Sequence, residues 1–153
     1  MKTKSRSISI MIATVLMVYI FTAAGALASE KDEAVQKVNE AITFYKNNGK
    51  DKTLVEVTKQ NGKFANNPYV FIYDMNAVIL AHPKFPKLIG KDMRSVADYQ
   101  GKYFRKDMAE TMKNQNDGWF DYSYMNPDTK KVELKTTYVK KTDNMLFACG
   151  VYR

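Results

Sequence analysis

The stretch YVFIYDMNAVILAHP, residues 69–83, constrains the fold more than any other part of the chain. Two runs of aromatic, β-branched and aliphatic residues, Tyr69–Tyr73 and Ala77–Ala81, flank the polar break Asp74–Met75–Asn76. Strand formers on both sides of turn formers predict a β-hairpin. Pro83 has no N–H to give to a ladder, so the second strand should end at His82, the sole histidine. The segment that follows, Lys84 to Asp92, carries Pro86 and Gly90 and is expected to cross one edge of the sheet.

The rest of the chain supplies helices before this hairpin and strands after it. In Ser29–Asn48, Ala34, Val38, Ala41, Ile42 and Tyr45 recur at three- and four-residue steps, the stripe of an amphipathic helix that stops at Asn47–Asn48–Gly49. A shorter helix fits Thr53–Gln60, with Thr53 and Glu56 at capping-box spacing. Phe104, Met108 and Met112 predict a third helix over Lys102–Asn114, with the methionines as core. Gly118–Tyr124, Val132–Lys141 and Met145–Tyr152 then read as three strands, separated by Asn126–Pro127–Asp128–Thr129 and Thr142–Asp143–Asn144. Short connections make those strands antiparallel neighbours. The fold class is therefore α+β: a five-stranded antiparallel sheet with a long N-terminal helix and shorter flanking helices. The helices are expected to cover one face, leaving the other, under Lys84–Gly101, for a pocket.

Residues 1–28 are set apart. Lys2, Lys4 and Arg6 open the chain, an uncharged run spans Ile8–Ala26, and Ala26–Leu27–Ala28 is a small-x-small step. These are the three parts of a secretory signal peptide, with cleavage after Ala28 and export to the periplasm or medium. An uncleaved N-terminal anchor facing outward is the alternative, since the apolar run approaches the length of a span. Residues 29–153 then form one domain. They hold 21 Lys and Arg against 16 Asp and Glu, a basic balance that suits an anionic small molecule or simply a solvated surface. Nucleic acid is not expected of an exported chain whose only arginines past residue 28 are Arg94, Arg105 and Arg153. Cys149 is the sole cysteine, which rules out an internal disulfide and any cysteine-based zinc or haem attachment.

No catalytic constellation is present: the lone histidine has no nucleophile in a recognisable motif, and no phosphate-binding loop occurs. One histidine does not make a metal site, and no cofactor is expected. What remains is a set of polar-tipped aromatics and one lysine on neighbouring strands. Alternation puts Phe120, Tyr122 and Tyr124 on one face, and groups Lys135, Thr137 and Val139 on one face of the next strand. Lys135 lies inside a strand, so its ammonium faces either solvent or a pocket. Should His82, Tyr122 and Lys135 converge, they would offer the donors a carboxylate needs. Tyr73 and Tyr138 are further candidates, although regular alternation turns Tyr138 away from Lys135. Trp119 points opposite to Tyr122 and is expected in the core.

In order, the run Tyr69–Asp92, Asp98-x-x-Gly101, Gly118–Trp119, Tyr122, Asn126–Pro127, Lys135-x-x-Tyr138–Val139 and Gly150–Val151–Tyr152 resembles the single Cache domain. The resemblance covers about Glu30 to Tyr152 and is closest to the type that senses small molecules outside the membrane in chemotaxis receptors and histidine kinases. It implies a PAS-like fold with a ligand beside the sheet, a short organic acid as ligand, and a membrane receptor or sensor kinase as partner. The sequence stops at Arg153, just after the last strand, so a free exported binding module is expected rather than a complete receptor. The alternative is a Cache fold with a vestigial pocket whose surface docks a membrane partner.

Overall fold

A computed structural model describes residues 29–153; the expected signal peptide and its cleavage site lie outside them. Helix α1 (residues 29–48) is followed by α2 (Lys50–Thr58), β1 (Val70–Asp74) and β2 (Ile79–Ala81). A 3-10 turn (Pro86–Leu88), α3 (Phe104–Asn114), β3 (Asp117–Met125), β4 (Val132–Thr142) and β5 (Met145–Tyr152) complete the order. The strands form one five-stranded sheet in the order β2-β1-β5-β4-β3, antiparallel throughout.

The hairpin turn is held by Asp74, whose carboxylate accepts from the backbone N–H of Asn76 (2.8 Å) and Val78 (2.9 Å). This is an Asx turn, the local bond that makes Asp a turn former. Residues 90–93 run along the outer edge of β2: Gly90 N–H donates to the Ile79 carbonyl, Ile79 N–H to Lys91, and Met93 N–H to Ala77. The segment thus lies on a sheet edge, as its composition suggests.

The two sheet faces carry different cores. On one, Val70, Ile72, Phe147, Cys149 and Val151 pack against Ala34, Val38, Ala41 and Ile42 of α1. On the other, Tyr69, Phe71, Tyr73, Val139, Leu146 and Ala148 meet Met108 and Met112 of α3. The helices are therefore divided between the faces, which corrects the expectation that they share one. Two local expectations also change. Helix α2 starts at Lys50, and the Thr53 hydroxyl donates back to the Gly49 carbonyl (2.7 Å) from inside the helix instead of capping it. Trp119 does lie on the α1 face, beside the Tyr138 ring and under the Lys31 ammonium, but on the edge strand β3 it is 38% exposed.

Candidate anion-binding site

Register brings the site together. In the ladder Tyr122 stands opposite Lys135, and Lys135 opposite Tyr152, so these three form one row across β3, β4 and β5. In the next row Phe120 faces Thr137, and Thr137 faces Gly150. Directly opposed residues share a face of an antiparallel sheet, so the row points wholly toward α3. Gly150 is needed here for room: a Cβ on it would collide with Thr137 Oγ1 and lie 2.6 Å from Lys135 Cε. The lysine stem passes over the bare backbone of β5.

Lys135 is 1% exposed. Its Nζ donates to the Tyr69 hydroxyl at 2.8 Å and lies 4.2, 5.0 and 4.6 Å from the ring centroids of Tyr69, Phe71 and Tyr152. The ring faces attract the cation, each by about 0.5–2 kcal/mol. No carboxylate pairs with it among the described residues. Burial in this aromatic cage lowers the ammonium pKa from 10.5 to about 7, and nearby Arg105 adds to the effect. Tyr69 continues the chain of hydroxyls to Tyr152 (3.3 Å), which donates to the Met125 carbonyl (3.0 Å).

A second buried cation lies on the same side of the sheet. Arg105, 2% exposed, opens α3 and donates from Nε to the Tyr73 hydroxyl (3.2 Å). Its guanidinium lies 4.3 Å from the Phe104 ring centroid and 5.3 Å from that of Tyr124, and it too has no carboxylate partner among the described residues. Phe104 stacks in parallel on Tyr122 at 3.6 Å, and the Tyr122 hydroxyl is hydrogen-bonded to Thr137 Oγ1 (2.8 Å). Burial raises the pKa of Tyr122 and Tyr69 well above the usual value, so both keep their protons. A cleft of about 330 Å³ opens beside Arg105 and Tyr124 under Phe85, Leu88 and Val96, in the segment expected to roof the pocket. A larger groove of about 610 Å³ runs along the outer side of α1, but no buried charge lines it.

His82 is 4% exposed and packs between aromatic rings, stacked on Phe71 at 5.2 Å and tilted against Tyr69 at 5.3 Å. Its Nδ1 accepts from the backbone N–H groups of Lys84 (3.2 Å) and Phe85 (3.1 Å). Burial, then Lys135 and Arg105, holds its pKa well below the usual value, so the ring is neutral. A family model described as Single Cache domain 2 matches residues 3–151.

The chain belongs to the Single Cache domain 2 family.

Solved Cache domains share its fold. A methyl-accepting chemotaxis protein of Vibrio parahaemolyticus RIMD 2210633 superposes with a TM-score of 0.70 at 18% identity, covering 87% of this chain and 95% of that one. A periplasmic sensor domain of a chemotaxis protein gives 0.65 at 18% identity over 85% and 96%. A Cache chemosensory domain whose structure concerns carboxylic acid recognition gives 0.60 at 23% identity over 98% and 99%. In sequence, the methyl-accepting chemotaxis protein McpP of Pseudomonas putida KT2440 is 26% identical over 92 residues, which are 59% of this chain and 17% of McpP. The chain thus matches about a sixth of that receptor's length. No helix among the described residues is long and apolar enough to cross a membrane.

Of the residues singled out from the sequence of this Cache domain, His82, Tyr122, Lys135 and Tyr73 sit on one face around the two cations. Tyr138 does not join them. It is buried on the α1 face against Trp119, with burial raising its pKa to about 12. Sequence reasoning missed Arg105, Tyr69 and Tyr152, and placed Tyr124 on the face of Tyr122 without assigning it to the site. The signals were there: Arg105 falls three, four and seven residues before Met108, Ala109 and Met112, inside the buried stripe of α3. Two-residue alternation from Tyr73 leads back through Phe71 to Tyr69, and from Gly150 to Tyr152.

Proposed function

We propose that this Cache domain binds a short organic acid, its carboxylate held by Lys135 with hydrogen bonds from the tyrosine hydroxyls beside it. The observation that carries this reading is the buried Lys135 ammonium with no carboxylate partner. Desolvating an unpaired ammonium is costly, and a vestigial pocket would have no use for it. An arriving carboxylate supplies the missing charge and accepts from Lys135, while Arg105 adds positive potential from the other side. The hydrophobic walls of Phe71, Phe104 and Phe85 suit a short aliphatic tail. The carboxylic-acid-recognising relative supports the same class of ligand.

The domain would serve as the sensing part of a signalling or chemotaxis system, working outside the membrane and passing occupancy to a receptor or sensor kinase. Export with cleavage after Ala28 belongs to this reading, and mass spectrometry of the native protein should find Ser29 at its amino terminus. Binding is tested by a thermal-shift screen against small mono- and dicarboxylates, followed by calorimetry on Lys135→Met. A charge-assisted contact is worth about 1.5–3 kcal/mol, so the variant should bind roughly ten- to a hundredfold more weakly. Unchanged affinity in Lys135→Met for every acid that binds the wild type would overturn the assignment.

A further inference from the structure

Arg105 spends only part of its guanidinium on the protein. Nε donates to the Tyr73 hydroxyl (3.2 Å), and Nη1 reaches the Val96 carbonyl at 3.5 Å. Nη2 makes no hydrogen bond to the protein among the described residues. No buried side-chain nitrogen among those residues lacks a partner, so the Nη2 end is not sealed off; it opens on the 330 Å³ cleft that Arg105 lines. A guanidinium presents its N–H groups as a planar fork, and a fork with a free edge in a cleft is matched by a planar carboxylate.

The carboxylate in the cleft wall belongs to Asp98, and it does not pair with Arg105. Its oxygens accept from the backbone N–H groups of Gln100, Lys102 and Ser123. The other walls are apolar or aromatic. The Tyr124 ring centroid lies 5.3 Å from the guanidinium and meets Phe85 edge-on at 5.8 Å, while Val96 and Tyr99 line the cleft at 43% and 60% exposure. Exposed apolar side chains gathered beside a buried, unpaired cation are the mark of a binding surface.

We infer that this cleft is a second acid site, separate from the one at Lys135, and that it takes a carboxylate carried on an aromatic ring. Lys135 does not line the cleft; its ammonium is enclosed by the rings of Tyr69, Phe71 and Tyr152. The cleft volume falls at the low end of the roughly 300–1,000 Å³ usual for small-molecule pockets, more room than acetate or propionate fills. A benzoate-like anion sets its carboxylate on the free edge of Arg105 and its ring against Tyr124 and Tyr99, in offset or edge-on contact. Short aliphatic acids have no ring to lay on those walls and are left to Lys135.

Calorimetry with benzoate and phenylacetate tests the site. The wild type should bind at least one of them, and Lys135→Met should bind it as tightly. Arg105→Met should bind it roughly ten- to a hundredfold more weakly, the worth of a charge-assisted contact. Arg105→Lys keeps the charge without the fork and should recover only part of that loss. Tyr99→Ala changes an exposed position, so it decides the matter even if Arg105→Met fails to fold; it should weaken binding roughly two- to tenfold. Loss of the aromatic acid in Lys135→Met would overturn the inference, because the ring would then share the Lys135 site. Unchanged affinity in Arg105→Met or in Tyr99→Ala would overturn it as well, and so would a wild type that binds neither acid. None of these outcomes touches the binding of acetate or propionate, which Lys135→Met decides separately.

Discussion

Replacing Lys135 with methionine should stabilise the ligand-free protein, and by an amount that depends on pH. Methionine keeps the length and apolar bulk of the lysine stem over Gly150 and against the Tyr69 and Phe71 rings, and removes the buried charge. In the unfolded chain the ammonium titrates near 10.5; in the fold it titrates at about 7. Between these values the unfolded chain binds more protons, so wild-type stability rises with pH from about 7 towards 10.5. Below 7 both states are protonated and the full cost is present. The shift corresponds to roughly 4 kcal/mol at neutral pH, an upper figure that lost contacts of the lysine would reduce. Urea denaturation of both proteins at steps from pH 6 to 9 measures the difference. Lys135→Met should lead at pH 7 and lose its lead by up to about 1.4 kcal/mol per pH unit above that. The window stops at pH 9 because burial raises the Cys149 thiol to about 12, which makes the fold less stable once unfolded thiols ionise. The Lys135 charge acts on that thiol, so the effect differs between the two proteins and the comparison is kept at or below pH 9. An acid at a concentration that saturates the wild type should raise wild-type stability and raise that of the variant less. A stability difference flat from pH 6 to 9 would refute the desolvated ammonium, and with it the argument for the ligand's charge.

Gly150→Ala should force Lys135 and Thr137 aside, lowering stability by about 1–3 kcal/mol and acid affinity with it, read by denaturation and calorimetry. Asp98→Ala removes the acceptor of three backbone N–H groups and should cost about 2–3 kcal/mol in a urea melt. Although burial opposes it, those three bonds lower the Asp98 pKa, so its contribution is intact above the ordinary carboxylate range and fades as pH falls below 4. An acid titration in which Asp98→Ala and wild type converge below that range checks the sign. Trp119→Ala should cost only about 1–2 kcal/mol, less than a core tryptophan, since the ring is partly exposed on an edge strand.

Elements whose periodicity is long or whose turns are chemically marked were legible from sequence. The stripe of α1, the Asp74 turn and the three final strands fall where patterning puts them, because each is decided by neighbours within a few residues. The site was legible in part for the same reason: alternation along β1, β3 and β4 collects Tyr73, Tyr122 and Lys135 on one face. What alternation cannot supply is which element covers that face. Arg105 enters the site from α3, and its place depends on the packing of α3 against β1 and β3. The burial of Lys135 was equally hidden, for a lysine in a strand is equally compatible with water until Gly150 and three rings enclose it. Trp119 shows the reverse error, since hydrophobicity alone did not reveal that β3 would be an edge.

The strand order has a further bearing on how the protein comes to exist. β5, the latest strand in sequence, lies in the middle of the sheet and joins β1 on one side to β4 on the other. Without it the first hairpin and the β3–β4 pair are two ribbons with nothing between them. Pairing Val70 with Cys149 closes a loop spanning more than half the sequence, a distant contact that makes folding slow relative to local pairing. Tyr69 and Lys135 meet over β5, so the lysine is wet and ordinary until that strand docks. The same event that completes the sheet creates the buried charge, and a chain caught before it would carry neither the aromatic cage nor the cost of desolvating the ammonium.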